Sequence, residues 1–377
     1  MILQKKKYKI ALIGYRFTEG GGEKVMANLS IFFDKAGIEV HNIIVLDGVT
    51  YSYAGKLVNM GLMKNKSNDF NNKLKRLFFI RRYLKTNNFD FIIDFRPRTK
   101  SFQELLIARF VYNTKTILTV HNFLLEYYMP KKVWIGRLIF NHIYATVTIV
   151  DKIKELVESK YNLTNVTTIF NPINLEEVFE RSNEEIDITF DYVIAIGQYH
   201  DNLKQFDKLI WSYAHSNLPE RHIHLVILGK GDIIPLEKMA ADNNVSKYIH
   251  LMGFEDNPYK YLKKAKFLVL SSLNEGMPNV ILESLACETP VIAFDCPTGP
   301  REMIVDKENG LLVENQNIQK LIEAMNIFVG NEQLYSHCKK NALASIQQFS
   351  LESIGKQWLD LMKIASFSDE SNKELWK

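Results

Sequence analysis

Along nearly the whole chain, short apolar, β-branched runs alternate with longer segments that repeat every 3.6 residues, and this rhythm constrains the fold more than any other feature. Strand-type runs in the first half are Tyr8–Gly14, Val40–Leu46, Phe91–Phe95, Thr116–Val120, Thr146–Val150 and Val166–Phe170. Those in the second half are Tyr192–Gly197, His224–Gly229, Ile249–Met252, Phe267–Ser271, Val291–Phe294 and Leu311–Val313. Between them lie helix-type segments such as Phe102–Val111, Gln205–His215, Pro278–Cys287 and Ile318–Val329. Strands that alternate with helices pair in parallel through crossover helices. Several runs are apolar throughout, as burial on both faces of a sheet requires. At 377 residues the chain exceeds one ordinary core and has enough strands for two doubly wound α/β domains.

The boundary is expected after Asn171-Pro172, where the composition turns polar and acidic before a new strand begins at Tyr192. This gives an N-terminal domain over 1–175, a solvated linker over 176–190 and a second domain over 191–345. Residues 346–377 carry a last helix, expected to pack back towards the N-terminal domain, and a polar tail after Ser366.

Composition excludes several classes. Hydrophobic residues at 46% and charged residues at 24% are those of a globular chain, and no apolar run approaches the length of a membrane span. The apolar stretch ending at Gly14 is too short for a signal peptide and reads as a first strand. Cys287, Cys296 and Cys338 are odd in number and show no CxxC spacing, so neither a disulfide framework nor a zinc site is indicated. A reducing, cytoplasmic setting follows. The net charge of +4 conceals an asymmetry: residues 1–175 hold 27 Lys and Arg against 13 Asp and Glu, a balance of +14, whereas the remainder holds 20 against 30, or −10. A basic domain of this kind meets something anionic, nucleic acid or membrane. No nucleic-acid motif accompanies the charge.

Two motifs could carry chemistry. Glu19-Gly20-Gly21-Gly22-Glu23 follows the first strand and opens a helix, where backbone N–H groups and the helix dipole favour an anion. It is not GxGxxG, so a nicotinamide fingerprint is unsupported. The second motif lies within 271–314, where Glu275 and Glu283 are separated by seven residues around Pro278, a residue suited to a first helical turn. Amides around Gly276–Val280 then line the C-terminal edge of a sheet, where doubly wound folds bind ligands. Taken alone, each motif also has a plain structural reading, as a tight turn and as an acid favoured by a helix dipole.

The block at 271–314 resembles the signature of the retaining glycosyltransferases of family 4, in which two glutamates seven residues apart frame a nucleotide-sugar site. Collinear elements surround it: Gly20–Gly22, Thr119-Val120-His121-Asn122, Ile169–Asn174, Ile196-Gly197 with Lys204, Leu228–Gly231 and Asn309–Val313. The resemblance implies the GT-B fold, two Rossmann-like domains facing a central cleft. It implies that Glu283 binds the donor ribose, that Glu275 contacts the donor sugar, and that Gly197 and Lys204 both belong to the donor site, with Lys204 on the phosphate. Backbone amides of Gly276, Met277, Pro278, Asn279 and Val280 (as far as each residue carries an N–H), with those of Gly21 and Gly22, would hold sugar and diphosphate. His121 would lie next to the reacting sugar. Where the family has Gly-Arg, this chain has Gly197-Gln198, which removes one charge from the phosphate site; Arg301 is the candidate replacement.

The reaction implied is transfer of a sugar, galactose or an N-acetylhexosamine, from a UDP-sugar with retention and without metal or other cofactor, with which the lack of a suitably placed DxD pair agrees. Its acceptor would be a glycan or lipid-linked glycan in surface polysaccharide synthesis. The alternatives are a non-catalytic GT-B homologue that binds sugar nucleotide or glycan, and a different Rossmann-type enzyme. The basic half also carries two stretches suited to an anionic membrane surface. One is Leu74–Leu84, with Leu74, Leu77, Phe78 and Arg81 on one face among Lys73, Lys75, Arg76, Arg82 and Lys85. The other is Lys131–Phe140, with Trp134 beside three cations. Peripheral attachment to the inner face of the cytoplasmic membrane is the corresponding expectation; the plain alternative is that Leu77 and Phe78 pack on the sheet and the cations face water.

Overall fold

The computed structural model describes residues 7–18, 20–65, 69–199 and 202–365. Glu19 of the glycine turn, positions 66–68 of the basic stretch and the tail from 366 lie outside the described residues.

The chain divides into two compact units. The first runs to Pro172 and takes in the segment after Ser350; the second is Ile173–Ser350. The first holds a seven-stranded sheet of β1 (Lys9–Gly14), β2 (Glu39–Ile44), β3 (Lys56–Asn59), β4 (Phe91–Asp94), β5 (Lys115–Val120), β6 (Ala145–Thr148) and β7 (Val166–Thr168), in the order β3-β2-β1-β4-β5-β6-β7. The second holds six strands, β8 (Tyr192–Ile196), β9 (His224–Leu228), β10 (Ile249–Gly253), β11 (Leu268–Leu270), β12 (Val291–Phe294) and β13 (Gly310–Val313), in the order β10-β9-β8-β11-β12-β13. All pairings are parallel.

The period of two along β1 shows how the first core is built. Ile10 and Leu12 enter one apolar cluster with the helix Gly21–Lys35, while Ala11 and Ile13 enter another with the helix Phe70–Asn87. Both faces are buried, which is why the strand reads as continuously apolar. The last helix, Leu351–Met362, belongs to this unit: Ile354, Trp358, Leu359 and Met362 join the first cluster. Gly355 lets it approach the Phe32 ring so closely that a Cβ there would clash.

One expectation is corrected. The acidic stretch after Pro172 is not a linker throughout, because Leu175–Ser182 is a helix of the second unit with Val178 and Ser182 buried. Asn174 caps it by accepting from the Glu177 amide at 3.4 Å, and Glu176 and Glu177 occupy its first turn, where a helix dipole favours acids. The acidic composition therefore marked a helix start. The Leu74–Leu84 stretch belongs to the helix Phe70–Asn87; of the row expected there Leu74 and Leu77 are half-buried and Arg81 is exposed, while Ile80 and Leu84 are the buried residues and Leu77 packs beside them. Arg76 also turns inward, donating to the Val45 carbonyl. Phe78 remains exposed.

Candidate functional site

In a doubly wound sheet, ligand-binding loops gather at the C-terminal strand ends where the strand order reverses. Those switch points lie between β1 and β4 in the first unit and between β8 and β11 in the second. Nearly all the site residues expected from the sequence follow these strands or their neighbours.

In the first unit, β1 leads through Gly20 into the helix Gly21–Lys35. Gly20 has φ +100° and offers no side-chain cap, and a Cβ on it would meet the Glu23 carboxylate at 2.5 Å. Gly22 lies against His121, the residue after β5: a Cβ at position 22 would be 3.7 Å from the imidazole Cγ. Two expected site residues thus come together within one unit. Phe95 and Tyr128 flank the imidazole, with ring centroids 5.8 and 5.9 Å away. Both ring nitrogens are enclosed and have no hydrogen-bond partner among the described residues. Burial, aided by the Arg98 charge, pushes the His121 pKa down to about 3, so the ring is neutral. Burial acts oppositely on Glu23 and raises its carboxyl to about 7.

Behind His121 lies a buried charge cluster that sequence reasoning missed. Arg96 donates to both carboxylate oxygens of Asp94 at 3.0 and 2.8 Å and to Glu104 at 3.2 Å, while the Tyr112 hydroxyl donates to Asp94 at 2.6 Å. Burial alone would raise the Asp94 carboxyl, but the Arg96 and Arg98 charges hold it below the usual range. Arg98 donates to the carbonyls of Asp94, Arg96 and Tyr128 at 3.2, 2.9 and 3.1 Å, and to that of Thr119. The signal was present in Asp94-Phe95-Arg96-Pro97-Arg98, two arginines directly after an apolar strand.

In the second unit, Lys204 crosses over Gly197, where a Cβ would sit 2.8 Å from its Cγ and Cε. Its ammonium meets Glu275 Oε1 at 2.5 Å, and the Ser272 hydroxyl donates to the same oxygen at 2.6 Å. Thr298 donates to the Glu275 carbonyl. Gly299, with φ +100°, packs so tightly that a Cβ would fall 2.6 Å from Pro278 Cδ and 2.9 Å from the Gly276 oxygen. The loop after β12 therefore braces Gly276, Met277 and Pro278, all buried, at the start of the helix Asn279–Ala286. Ser272 and Thr298 were not singled out from sequence, because their partners become neighbours only through the fold. Asn279 and Val280 open the helix, and Glu283 stands on its second turn, where its charge raises the Tyr259 hydroxyl and Cys287 thiol pKa values after burial has already done so. Arg301 is exposed and paired with Asp295 at 3.1 Å through Nε. Gln198 is also exposed. Among the described residues, no three His, Cys, Asp or Glu side chains gather as metal ligands, and no helix is long and apolar enough to cross a membrane.

A cation beside a half-buried carboxylate, braced glycine loops and a helix start can hold a phosphorylated, polyhydroxylated ligand. Comparison with known proteins points the same way. The family model for Glycosyl transferases group 1 matches residues 177–344, and that for Glycosyltransferase Family 4 matches 19–177. A Campylobacter jejuni N-acetylgalactosamine-N,N'-diacetylbacillosaminyl-diphospho-undecaprenol 4-alpha-N-acetylgalactosaminyltransferase is 26% identical over 93% of this chain and 98% of its own length. A second C. jejuni enzyme, GalNAc-alpha-(1->4)-GalNAc-alpha-(1->3)-diNAcBac-PP-undecaprenol alpha-1,4-N-acetyl-D-galactosaminyltransferase, is 25% identical over 77% of this chain and 79% of its own. The structure of Anabaena Alr3699/HepE in complex with UDP and glucose superposes with a TM-score of 0.75, at 14% identity, over 94% of this chain and 99% of that one.

Proposed function

We propose a function from the premise that this chain belongs to the family 4 glycosyltransferases and has their GT-B fold: it transfers a sugar, galactose or an N-acetylhexosamine, from a UDP-sugar to a glycan or lipid-linked glycan, with retention and without metal or other cofactor, in bacterial surface polysaccharide synthesis. The observation that carries the reading is the Lys204–Glu275–Ser272 cluster over Gly197, braced through Thr298 and Gly299. Lys204 neutralises the departing diphosphate, Glu275 holds sugar hydroxyls, and Glu283 accepts from the ribose. Amides of the Gly276–Val280 turn complete the donor site, and Gly21, Gly22 and His121 serve the reacting sugar and its phosphates from the first unit.

In the reaction the bond from the anomeric carbon to the UDP oxygen breaks and the acceptor oxygen bonds to that carbon on the same face. The acceptor's proton passes to the leaving phosphate. No protein nucleophile is invoked; positioning and charge stabilisation supply the acceleration. The two Campylobacter relatives, named for undecaprenol-diphosphate-linked substrates, favour a lipid-linked acceptor here, and the UDP complex of the Anabaena protein favours a UDP donor. The basic first unit then works against the anionic inner face of the cytoplasmic membrane.

The test is a panel of UDP-galactose, UDP-N-acetylgalactosamine, UDP-N-acetylglucosamine and UDP-glucose, with EDTA present, read as UDP release with and without a polyprenyl-diphosphate-linked glycan. Acceptor-stimulated release from one donor, with an α-linked product, is expected. Binding of UDP-sugars without turnover of any of them would mark a non-catalytic homologue, and an inverted product would remove retention.

A further inference from the structure

The helix Ser101–Leu106 continues as a π-helical segment, Ile107–Val111. Its inward face is satisfied: Glu104, Ile107, Ala108 and Val111 are buried, and Glu104 is engaged by Arg96. Its outward face is a row at four-residue spacing, Phe102, Leu106 and Phe110, exposed to 61%, 53% and 60%. Beside it the helix Val133–Phe140 repeats the arrangement, with Ile135, Gly136, Ile139 and Phe140 inside and Trp134 and Leu138 outside. The two rows adjoin, since the Arg109 guanidinium donates to the Leu138 carbonyl at 2.9 Å. Gly136 seats the second helix against the Tyr161 ring, where a Cβ would come within 2.6 Å, so this face stands on a firm support.

A single exposed apolar residue needs no explanation, but five large ones on two adjoining helices do. Their surroundings are basic. Lys100, Arg109, Lys132 and Arg137 are exposed around the rows. Of the acids on these segments and the loop between them, Glu104 is buried against Arg96 and Glu126 is paired with Lys131 at 3.1 Å. A second copy of this chain would bring these cations against their own equivalents, whereas an anionic lipid leaflet offers acyl chains to the aromatic rows and headgroups to the cations.

We propose that Phe102, Leu106 and Phe110, together with Trp134 and Leu138, form the surface that inserts into an anionic leaflet. The proposal rests on the lipid-linked acceptor of the preceding reading, and it moves the point of insertion away from the helix Phe70–Asn87. That helix, with Ile80 and Leu84 committed to the core, contributes cations and the exposed Phe70 and Phe78, eight residues apart.

The test is co-sedimentation of the full chain with phosphatidylcholine vesicles, with and without phosphatidylglycerol, alongside the tryptophan emission change that Trp134→Phe removes. Wild type is expected to sediment only with phosphatidylglycerol-containing vesicles at low salt, with a blue shift that depends on Trp134. The triple variant F102S/L106S/F110S is expected to lose at least about tenfold in vesicle binding. Its UDP-sugar turnover in solution and its melting temperature should match wild type, and Phe78→Ser should bind vesicles nearly as wild type does. Undiminished binding by the triple variant overturns the proposal, as does wild-type protein that stays in the supernatant or a wild-type dimer that the triple variant abolishes. Absent UDP-sugar turnover in every protein would defeat the transferase reading alone, because the vesicle arm uses no donor.

Discussion

Replacing Gly197 with alanine tests the donor site through its neighbour Lys204. The new methyl would sit 2.8 Å from both Cγ and Cε of Lys204, closer than carbon atoms tolerate. The obstacle is a flexible side chain, and Gly197 is not among the positive-φ glycines, so Lys204 yields and the sheet does not. In yielding, its ammonium loses the 2.5 Å contact with Glu275 and its place at the diphosphate. A charge-assisted contact of this kind is worth about 1.5–3 kcal/mol, so the Kd for UDP should rise by about 10- to 150-fold. Stability should change little, because the partly exposed ion pair contributes about 1 kcal/mol at most and the shift from glycine to alanine returns about 0.4–1 kcal/mol. Calorimetric titration with UDP and a thermal melt read the two quantities. Gly229→Ala is the contrasting control: its Cβ would fall on the Gly197 carbonyl oxygen, which is backbone, so it should lower the melting temperature outright. Wild-type UDP affinity in a folded Gly197→Ala protein would remove Lys204 from the nucleotide site.

Glu283→Ala should weaken UDP binding by about 1.5–3 kcal/mol through loss of a charged acceptor for the ribose; unchanged calorimetric affinity would exclude that contact. His121→Ala should lower kcat with little effect on the Kd for UDP, and wild-type turnover in that variant would refute the assignment. Stability should also follow pH in a defined way. Glu23 has a folded pKa of about 7 against 4.5 when unfolded, so the folded state binds the extra proton and stability falls as pH rises through that window. The loss is about 2–3 kcal/mol by pH 8, and Glu23→Gln should abolish it in urea unfolding at pH 5 and pH 8. His121 acts in the opposite sense, removing stability as pH falls from 6.5 towards about 3.

The sheets were legible because burial on both faces leaves little room for polar residues: twelve strands were expected, each within a few residues of its observed bounds. The one missed, β3, is a short edge strand, Lys-Leu-Val-Asn, exposed or half-buried throughout, and its pairing with β2 supplies what its composition does not. The helix Leu175–Ser182 was missed for a related reason, as its outward face is acidic and even Phe179 is exposed. In the site, glycine turns and the paired glutamates could be read because local backbone geometry and spacing demand them. Ser272, Thr298 and Arg98 could not, since each acts on atoms that only the tertiary fold brings within reach.

The first unit places Asp94, Arg96, Arg98 and Glu104, all buried, at the strand edge that carries His121. Buried ion pairs seldom stabilise a fold more than apolar side chains of similar size would, so the reason for this cluster lies in what it holds. Arg98 binds the carbonyls of Asp94, Arg96, Thr119 and Tyr128, which ties the end of β4, the end of β5 and the segment after His121 into one framework. An apolar replacement would leave those carbonyls without their donor. The same guanidinium disfavours an imidazolium at His121 and so reinforces what burial does. The outcome is a neutral, rigidly framed histidine whose two nitrogens have no partner among the described residues of its own chain. Buried polar atoms normally find partners, and under the proposed assignment the donor sugar supplies this one. Arg98→Met should therefore lower kcat by loosening this frame, with the Kd for UDP unaltered and His121 still neutral, because burial alone keeps its pKa down; a folded variant with wild-type kcat would sever Arg98 from the positioning of that histidine.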